Sequence, residues 1–171
     1  MDVTTSAYLK GPIWAETLDR LKGTVFETYW EIYALCISIG MMYDRQIDSD
    51  DMVPEGYLSE ACEVPHTVLG KSKNAALLGF MLQTALITTR HLDYDEQTRL
   101  EYAFDDKKTF DKPIYFLTKY ANYGVTLIHE IIAEKDDIEM LEALMVFLNT
   151  MYESGADLVW EDGQLREDFE S

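Results

Sequence analysis

The sequence predicts an all-α protein, a single-domain bundle of five or six helices with an acidic C-terminal tail. Apolar residues recur at helical spacing in several segments, and residues that favour helix ends stand at the limits of those segments. No segment combines sustained alternation of polarity with β-branched residues and hairpin turns. At 171 residues and 47% hydrophobic composition, the chain is long enough to bury one sizeable core.

Two helices are expected near the N-terminus. The first opens at Pro12, because proline suits the first helical position, and Gly23 stands where its C-terminal cap is expected. Two threonine–glutamate pairs with capping-box spacing follow, the second being Thr28 and Glu31, so the next helix begins there and runs towards Tyr43. Apolar side chains surround the axis of this second helix, which is typical of a central, buried helix.

Four further helices are expected in the rest of the chain. Asp95 suits the N-cap of the second of these, and Asp111 with Pro113 opens the third, which is the longest. Asp136 or Asp137 caps the fourth. The four helices are predicted at about residues 74–91, 96–104, 113–134 and 138–153.

Two segments outside the predicted helices define the organisation of the chain, a connection and a tail. Residues 44–65 form a polar connection with one helical turn around Tyr57 to Cys62. A helical domain is expected at residues 1–153, followed by the acidic tail at residues 154–171.

Apolar positions on four helices predict the core. Gly40, Gly79 and Gly124 interrupt apolar helices although glycine there costs about 1 kcal/mol relative to alanine. Because a glycine lets another backbone come close, these positions predict tight helix crossings. The predicted core residues are Trp30, Tyr33, Leu35, Ile37, Leu78, Leu82, Ile128 and Leu144.

Charge is the main functional signal. The chain has 32 acidic and 14 basic residues, a net charge of −18, which repels phosphate backbones and favours a basic protein partner. Each acidic segment is either a solvated helix face or a docking surface.

Two short segments are basic instead. Between Val64 and Leu92 there is no carboxylate, and Lys71, Lys73 and Arg90 form a basic island there. A second island of four lysines lies within residues 107–119. Two such small islands predict no tight direct binding of nucleic acid.

The tail carries aromatic residues among its carboxylates. One interpretation is a mobile acidic tail, and the other is a docking peptide for a basic, hydrophobic groove. In the second interpretation the rings supply affinity and the carboxylates speed association. The predicted partner-binding residues are Trp160, Glu161, Asp162, Glu167, Asp168 and Phe169.

Motifs for catalysis and metal binding are absent from the sequence. His129 and Glu130 begin like a zinc-protease helix, but Ala133 stands where the second histidine is needed. The sequence has no phosphate-binding loop, no nucleophile elbow and no Cys-x-x-Cys pair. We therefore expect no catalytic residue, no cofactor and no metal.

The cysteines and the apolar segments indicate a cellular compartment. Cys36 and Cys62 do not suggest a disulfide framework, and without a signal-like or membrane-spanning segment we expect a soluble, cytoplasmic protein.

Two segments resemble a known family. They are the segment from Phe26 to Gly40 (FETYWEIYALCISIG) and the segment from Tyr120 to Ile128 (YANYGVTLI). Both are similar to the small helical proteins encoded beside bacterial Dnd DNA-phosphorothioation systems. Cys36 stands within a stretch that is alanine-rich in that family. The resemblance implies a bacterial antiviral defence or DNA-modification setting and an accessory role, and it supplies no active-site residues.

Three classes of function remain open at this point. The first is a non-catalytic accessory or adaptor subunit that docks a larger basic nuclease or ATPase of a defence complex through acidic surfaces. The second is an inhibitor that mimics DNA, whose carboxylates would lie in rows like phosphates. The third is a carboxylate-based enzyme or metal protein, which needs several acids buried together with shifted pKa values.

Overall fold

The computed structural model describes residues 3–58, 61–105 and 107–153 in full, and only the backbone at 154, 158–161 and 164–167. This part of the chain is mostly helical, as the sequence predicts. The helices are α1 (Pro12–Leu21), α2 (Tyr29–Met42), α3 (His66–Leu69), α4 (Ser72–Thr88), α5 (Glu96–Phe104), α6 (Pro113–Ile132) and α7 (Asp137–Ser154). The strands form two antiparallel pairs: β1 (Ala7–Leu9) with β2 (Cys62–Val64), and β3 (Leu158–Glu161) with β4 (Gln164–Glu167).

Local capping signals place the helix starts. At the start of α2 the Thr28 side chain accepts a hydrogen bond from the Glu31 backbone N–H at 3.4 Å. The Glu31 carboxylate accepts one from the Thr28 backbone N–H at 2.8 Å, which completes the predicted capping box. Asp95 caps α5 as predicted, because its carboxylate accepts from the Thr98 backbone N–H at 2.8 Å.

Helix α6 forms the centre of the fold. It crosses α2 over a long contact and also packs against α1, α7 and β1. Its buried side chains lie on nearly every side, and Leu117, Val125 and Ile128 are fully shielded from solvent. The other elements therefore surround α6, with α2 as its main neighbour.

The predicted core is largely confirmed. Six of its residues are buried: Tyr33, Ile37, Leu78, Leu82, Ile128 and Leu144. Trp30 and Leu35 are only partly buried, and they pack against the edge of the core. Although α2 and α6 are strongly apolar, no helix in the described part of the chain is both long and apolar enough to cross a bilayer.

The structure corrects several local predictions. The described residues form seven helices rather than five or six, because Pro65 is followed by the short helix α3. The helical turn expected around Tyr57 to Cys62 is wrong at its C-terminal end, since Cys62 begins β2, while Ser59 and Glu60 lie outside the described residues.

The strand pair β1–β2 and the start of α6 also differ from the predictions. Ala7 pairs with Val64, and both side chains are buried, so this short sheet closes one edge of the core. Asp111 does not cap α6. Lys112 takes the N-cap position in a left-handed conformation, with φ of 49°, and Pro113 begins the helix as predicted.

Candidate functional site

Helix α7 has two apolar faces. One face is buried in the core, and its residues follow helical spacing: Met140, Leu144, Phe147 and Met151. The second face, which we call the outer stripe, consists of Ile138, Leu141, Met145, Leu148 and Tyr152. These five positions recur at intervals of three and four residues, the pattern by which a helix contacts another helix.

The outer stripe is turned to solvent. Ile138 is 70% exposed, Met145 is 63% exposed and Tyr152 is 92% exposed. Leu141 and Leu148 are partly buried, and Leu148 packs against the core. Scattered apolar residues are ordinary on a protein surface, but a continuous apolar row is typical of an interaction site.

Carboxylates border the outer stripe. Asp137, Glu139, Glu142 and Glu153 are exposed, and the sequence has no Lys or Arg between Asp136 and Ser154. The surface therefore combines apolar contact with negative charge at its two ends.

Asp136 determines where α7 starts. Its carboxylate accepts hydrogen bonds from the backbone N–H groups of Ile138 and Glu139, each at 2.9 Å. The Glu139 carboxylate accepts in return from the Asp136 backbone N–H at 3.3 Å. This reciprocal pair satisfies the first free N–H groups of the helix and fixes its starting residue.

The six residues predicted to bind a partner lie beyond α7. Trp160 and Glu161 belong to β3 and Glu167 to β4, where the Trp160 backbone pairs with that of Leu165. Their side chains lie outside the described part of the chain. Asp162, Asp168 and Phe169 lie wholly outside the described residues, so the docking role of the tail stays a prediction.

A polar cluster around Asp44 joins the end of α2 to α4 and α6. The Asp44 carboxylate accepts hydrogen bonds from the Thr89 hydroxyl at 3.0 Å and from the Arg90 backbone N–H at 2.9 Å. The Tyr120 hydroxyl lies 3.1 Å from the same carboxylate and 2.5 Å from the Thr89 hydroxyl. His91 Nε2 lies 2.7 Å from the Asp44 carbonyl oxygen.

The titration of this cluster follows from these contacts. Partial burial opposes ionisation of Asp44, but the donors from Arg90, Thr89 and Tyr120 outweigh it and hold the Asp44 pKa below its ordinary value. Burial raises the pKa of Tyr120 to about 12. The polar atoms of the cluster satisfy one another, so the cluster holds three elements together rather than presenting a reactive group.

A second polar network holds the connection after α2. The buried Asn122 side chain accepts a hydrogen bond from Trp14 Nε1 at 2.8 Å. It donates to the Ile47 carbonyl oxygen at 3.0 Å and to the Ser49 hydroxyl at 3.2 Å. One amide thus links α1, α6 and the polar connection.

The described residues offer few groups for chemistry. Within residues 3–58, 61–105 and 107–153, no group of three or more His, Cys, Asp and Glu residues is placed to hold a metal ion. His129 Nε2 contacts the Glu16 carboxylate at 3.0 Å, in an exposed pair. The Cys36 thiol is fully buried, and burial raises its pKa far above the ordinary value, so it is a packing residue.

The outer stripe was not among the site residues predicted from sequence, although the signal for it is present. Residues 138–152 contain two apolar rows at helical spacing, and one helix face cannot bury both against a single neighbour. Periodicity alone does not say which row faces α6. The packing of Leu144 and Phe147 settles that, and it leaves Met145 outside.

Comparisons with family models, with curated proteins and with solved structures found no match for this chain.

Proposed function

We propose that this protein is a non-catalytic accessory subunit that docks a larger basic protein through the outer stripe of α7. The observation that carries the proposal is the exposed row on α7, led by Ile138, Met145 and Tyr152, with carboxylates at both ends and no Lys or Arg in the helix. An exposed apolar row is stabilised when the apolar surface of another protein buries it. The neighbouring carboxylates favour a partner that has Lys or Arg at the edges of that surface.

The spacing of the stripe specifies the shape of the partner element. Apolar anchors at intervals of three and four residues match an amphipathic helix laid along α7. Burial of Ile138, Met145 and Tyr152 would supply most of the affinity, since apolar and aromatic anchors dominate such contacts. Exposed carboxylates such as Glu142 would mainly raise the association rate, and this effect weakens with salt.

The class of partner comes from the resemblance to proteins of Dnd systems. The two resembling segments lie mostly in the helices α2 and α6, where many of their residues pack in the core. An accessory subunit built on such a scaffold needs its own docking face, and the outer stripe offers one. On this basis the proposed partner is a nuclease or ATPase subunit of a bacterial defence or DNA-modification complex, and the tail continues the docking surface beyond α7.

The test is co-expression of the chain with the products of its neighbouring genes, followed by capture and measured affinity. We expect one basic subunit to be captured by the wild type, and the double variant Met145→Ser with Tyr152→Ser to bind it at least tenfold more weakly. Leu58→Ser is the matched control, because Leu58 is 95% exposed and lies outside α7. Equal affinity of the α7 variant and the control variant would overturn the proposal.

The same assay separates docking from DNA mimicry. A DNA mimic would occupy the DNA site of its partner, so duplex DNA would compete with it. Glu139→Gln and Glu142→Gln would then remove more affinity than the loss of Met145. For the accessory subunit we expect the opposite order, and binding that persists when DNA is present.

A further inference from the structure

Helix α4 carries another exposed apolar row, on the opposite side from its buried residues. Leu77 is 41% exposed, Phe80 is 65% exposed and Ile87 is 41% exposed, and with Thr84 they recur at intervals of three and four residues. We call these four residues the α4 stripe. The neighbouring helix α5 adds Phe104, which is 62% exposed.

The α4 stripe can be buried without leaving a polar group unsatisfied. Its one polar member is Thr84, whose hydroxyl donates to the Phe80 carbonyl oxygen of its own helix at 2.9 Å. Water is therefore not needed to satisfy this hydroxyl, and a facing surface can cover the whole row.

The two ends of α4 carry opposite charge. Lys71 and Lys73 are exposed at its start, in a stretch without a carboxylate. Asp93, Asp95 and Glu96 are exposed just after its end. The arginines at that end are Arg90, which pairs with Asp44 at 3.5 Å, and Arg99, whose side chain donates to the Thr89 carbonyl oxygen at 2.7 Å. They are fewer than the carboxylates around them. Thus the N-terminal end is basic and the C-terminal end is acidic.

We propose that a second copy of this chain covers the α4 stripe, in a symmetric dimer whose two α4 helices run antiparallel. In this dimer the two-fold axis passes near residue 82 of both α4 helices. Leu77 of one copy then lies opposite Ile87 of the other, and Phe80 lies opposite Thr84. The same antiparallel arrangement brings the basic start of one α4, with Lys71, towards the acidic segment that follows the other α4, with Asp93. One surface thereby complements itself in both apolar contact and charge, as a two-fold interface requires.

Charge explains why a second copy fits here and not on α7. Two chains of net charge −18 repel over most of their surfaces, so they associate at least cost where carboxylates are missing. The α4 stripe belongs to residues 64–92, which have no carboxylate, and the carboxylates near it stand towards its C-terminal end, where Glu96 borders Ile87. The outer stripe of α7 has carboxylates at both ends, so two copies meeting there would bring Glu139 and Glu153 against like charge. The dimer is thus independent of the partner proposed for α7.

The test is the molecular mass of the full chain in solution, by sedimentation velocity and light scattering over a concentration series. We expect a reversible dimer that becomes a monomer in Phe80→Glu, with a dissociation constant at least a hundredfold higher. Ile87→Glu is a second disrupting variant, and circular dichroism checks that each variant folds. Met145→Glu is the matched control, being an equally exposed residue on α7 that should leave the dimer intact.

Charge reversal tests the antiparallel arrangement. Lys71→Glu alone and Asp93→Lys alone should each weaken the dimer by roughly three- to tenfold, as expected for two exposed ion pairs. The two changes together in one chain should restore it. A wild-type chain that stays monomeric up to about 0.1 mM overturns the proposal, as does a dimer lost in Met145→Glu but kept in Phe80→Glu. Failure of the double charge variant to recover overturns the antiparallel arrangement.

Discussion

Gly40 on α2 and Gly124 on α6 each lie against the backbone of the opposite helix. A Cβ atom on Gly124 would stand 2.0 Å from the Cys36 carbonyl oxygen, and one on Gly40 would stand 2.1 Å from the Tyr120 carbonyl oxygen. Since real Cβ atoms do not approach backbone this closely, both positions require glycine. The two contacts bring α2 and α6 together at the centre of the core, and they confirm the tight crossing predicted at both glycines.

Gly124→Ala is expected to destabilise the protein by about 1–3 kcal/mol, because the added methyl group overpacks a rigid backbone contact. The sign is informative, since the same change at an exposed helix position stabilises by up to about 1 kcal/mol. Urea unfolding followed by circular dichroism measures the difference. A variant that melts at a higher temperature than the wild type would show that the two helices do not touch here.

Adjacent residues on α7 should separate stability from binding. Leu144 is 2% exposed, so Leu144→Ala should cost about 2–5 kcal/mol of unfolding free energy. Met145 is 63% exposed, so Met145→Ala should change stability by less than about 0.5 kcal/mol. Only Met145→Ala should weaken partner capture at a temperature where both variants are folded. Similar melting curves for the two variants would mean that the helix is rotated from the orientation described.

Asn122→Ala should destabilise by about 1–3 kcal/mol or more, because it removes the acceptor of the buried Trp14 ring N–H and the donor to the Ile47 carbonyl. Trp14→Phe is the partner variant, since it removes the ring N–H that needs an acceptor. In a double-mutant cycle the two losses should not add, because they delete the same hydrogen bond. Additive losses would contradict the proposed coupling between α1 and α6.

Local signals explain why the helices could be predicted from the sequence. The Thr28–Glu31 capping box and the Asp95 cap act within one turn, so their chemistry is visible in the spacing alone. The pairing of Ala7 with Val64 was missed because each strand is three residues long and the partner is distant in sequence.

The same distinction holds for the candidate site. The apolar row on α7 is readable in the sequence, but its exposure depends on which row α6 covers. The Asp44 cluster could not be predicted, since it needs Asp44, Thr89 and Tyr120 from three separate elements. Asp44 also takes a left-handed conformation, with φ of 44°, which the sequence around it does not predict.

Asp44 should make stability depend on acid pH. Its pKa is lowered in the folded protein, so its contribution to the free energy of unfolding is fully present above the unfolded pKa of about 3.9 and is lost as pH falls through the lower folded pKa.

Asp44→Asn is a fair probe of this contribution because asparagine tolerates the left-handed conformation, but it replaces one accepting oxygen by an N–H₂ group that faces donors. We expect Asp44→Asn to be about 1–3 kcal/mol less stable than the wild type at pH 7. The difference should shrink as pH is lowered below 4, because the wild type alone loses this carboxylate. Urea unfolding from pH 2 to pH 7 measures the trend, with Asp50→Asn as control, since the Asp50 side chain is 94% exposed and pairs with Lys10 at 3.4 Å. A constant difference between the wild type and Asp44→Asn at every pH would mean that the charge of Asp44 does not hold α2, α4 and α6 together.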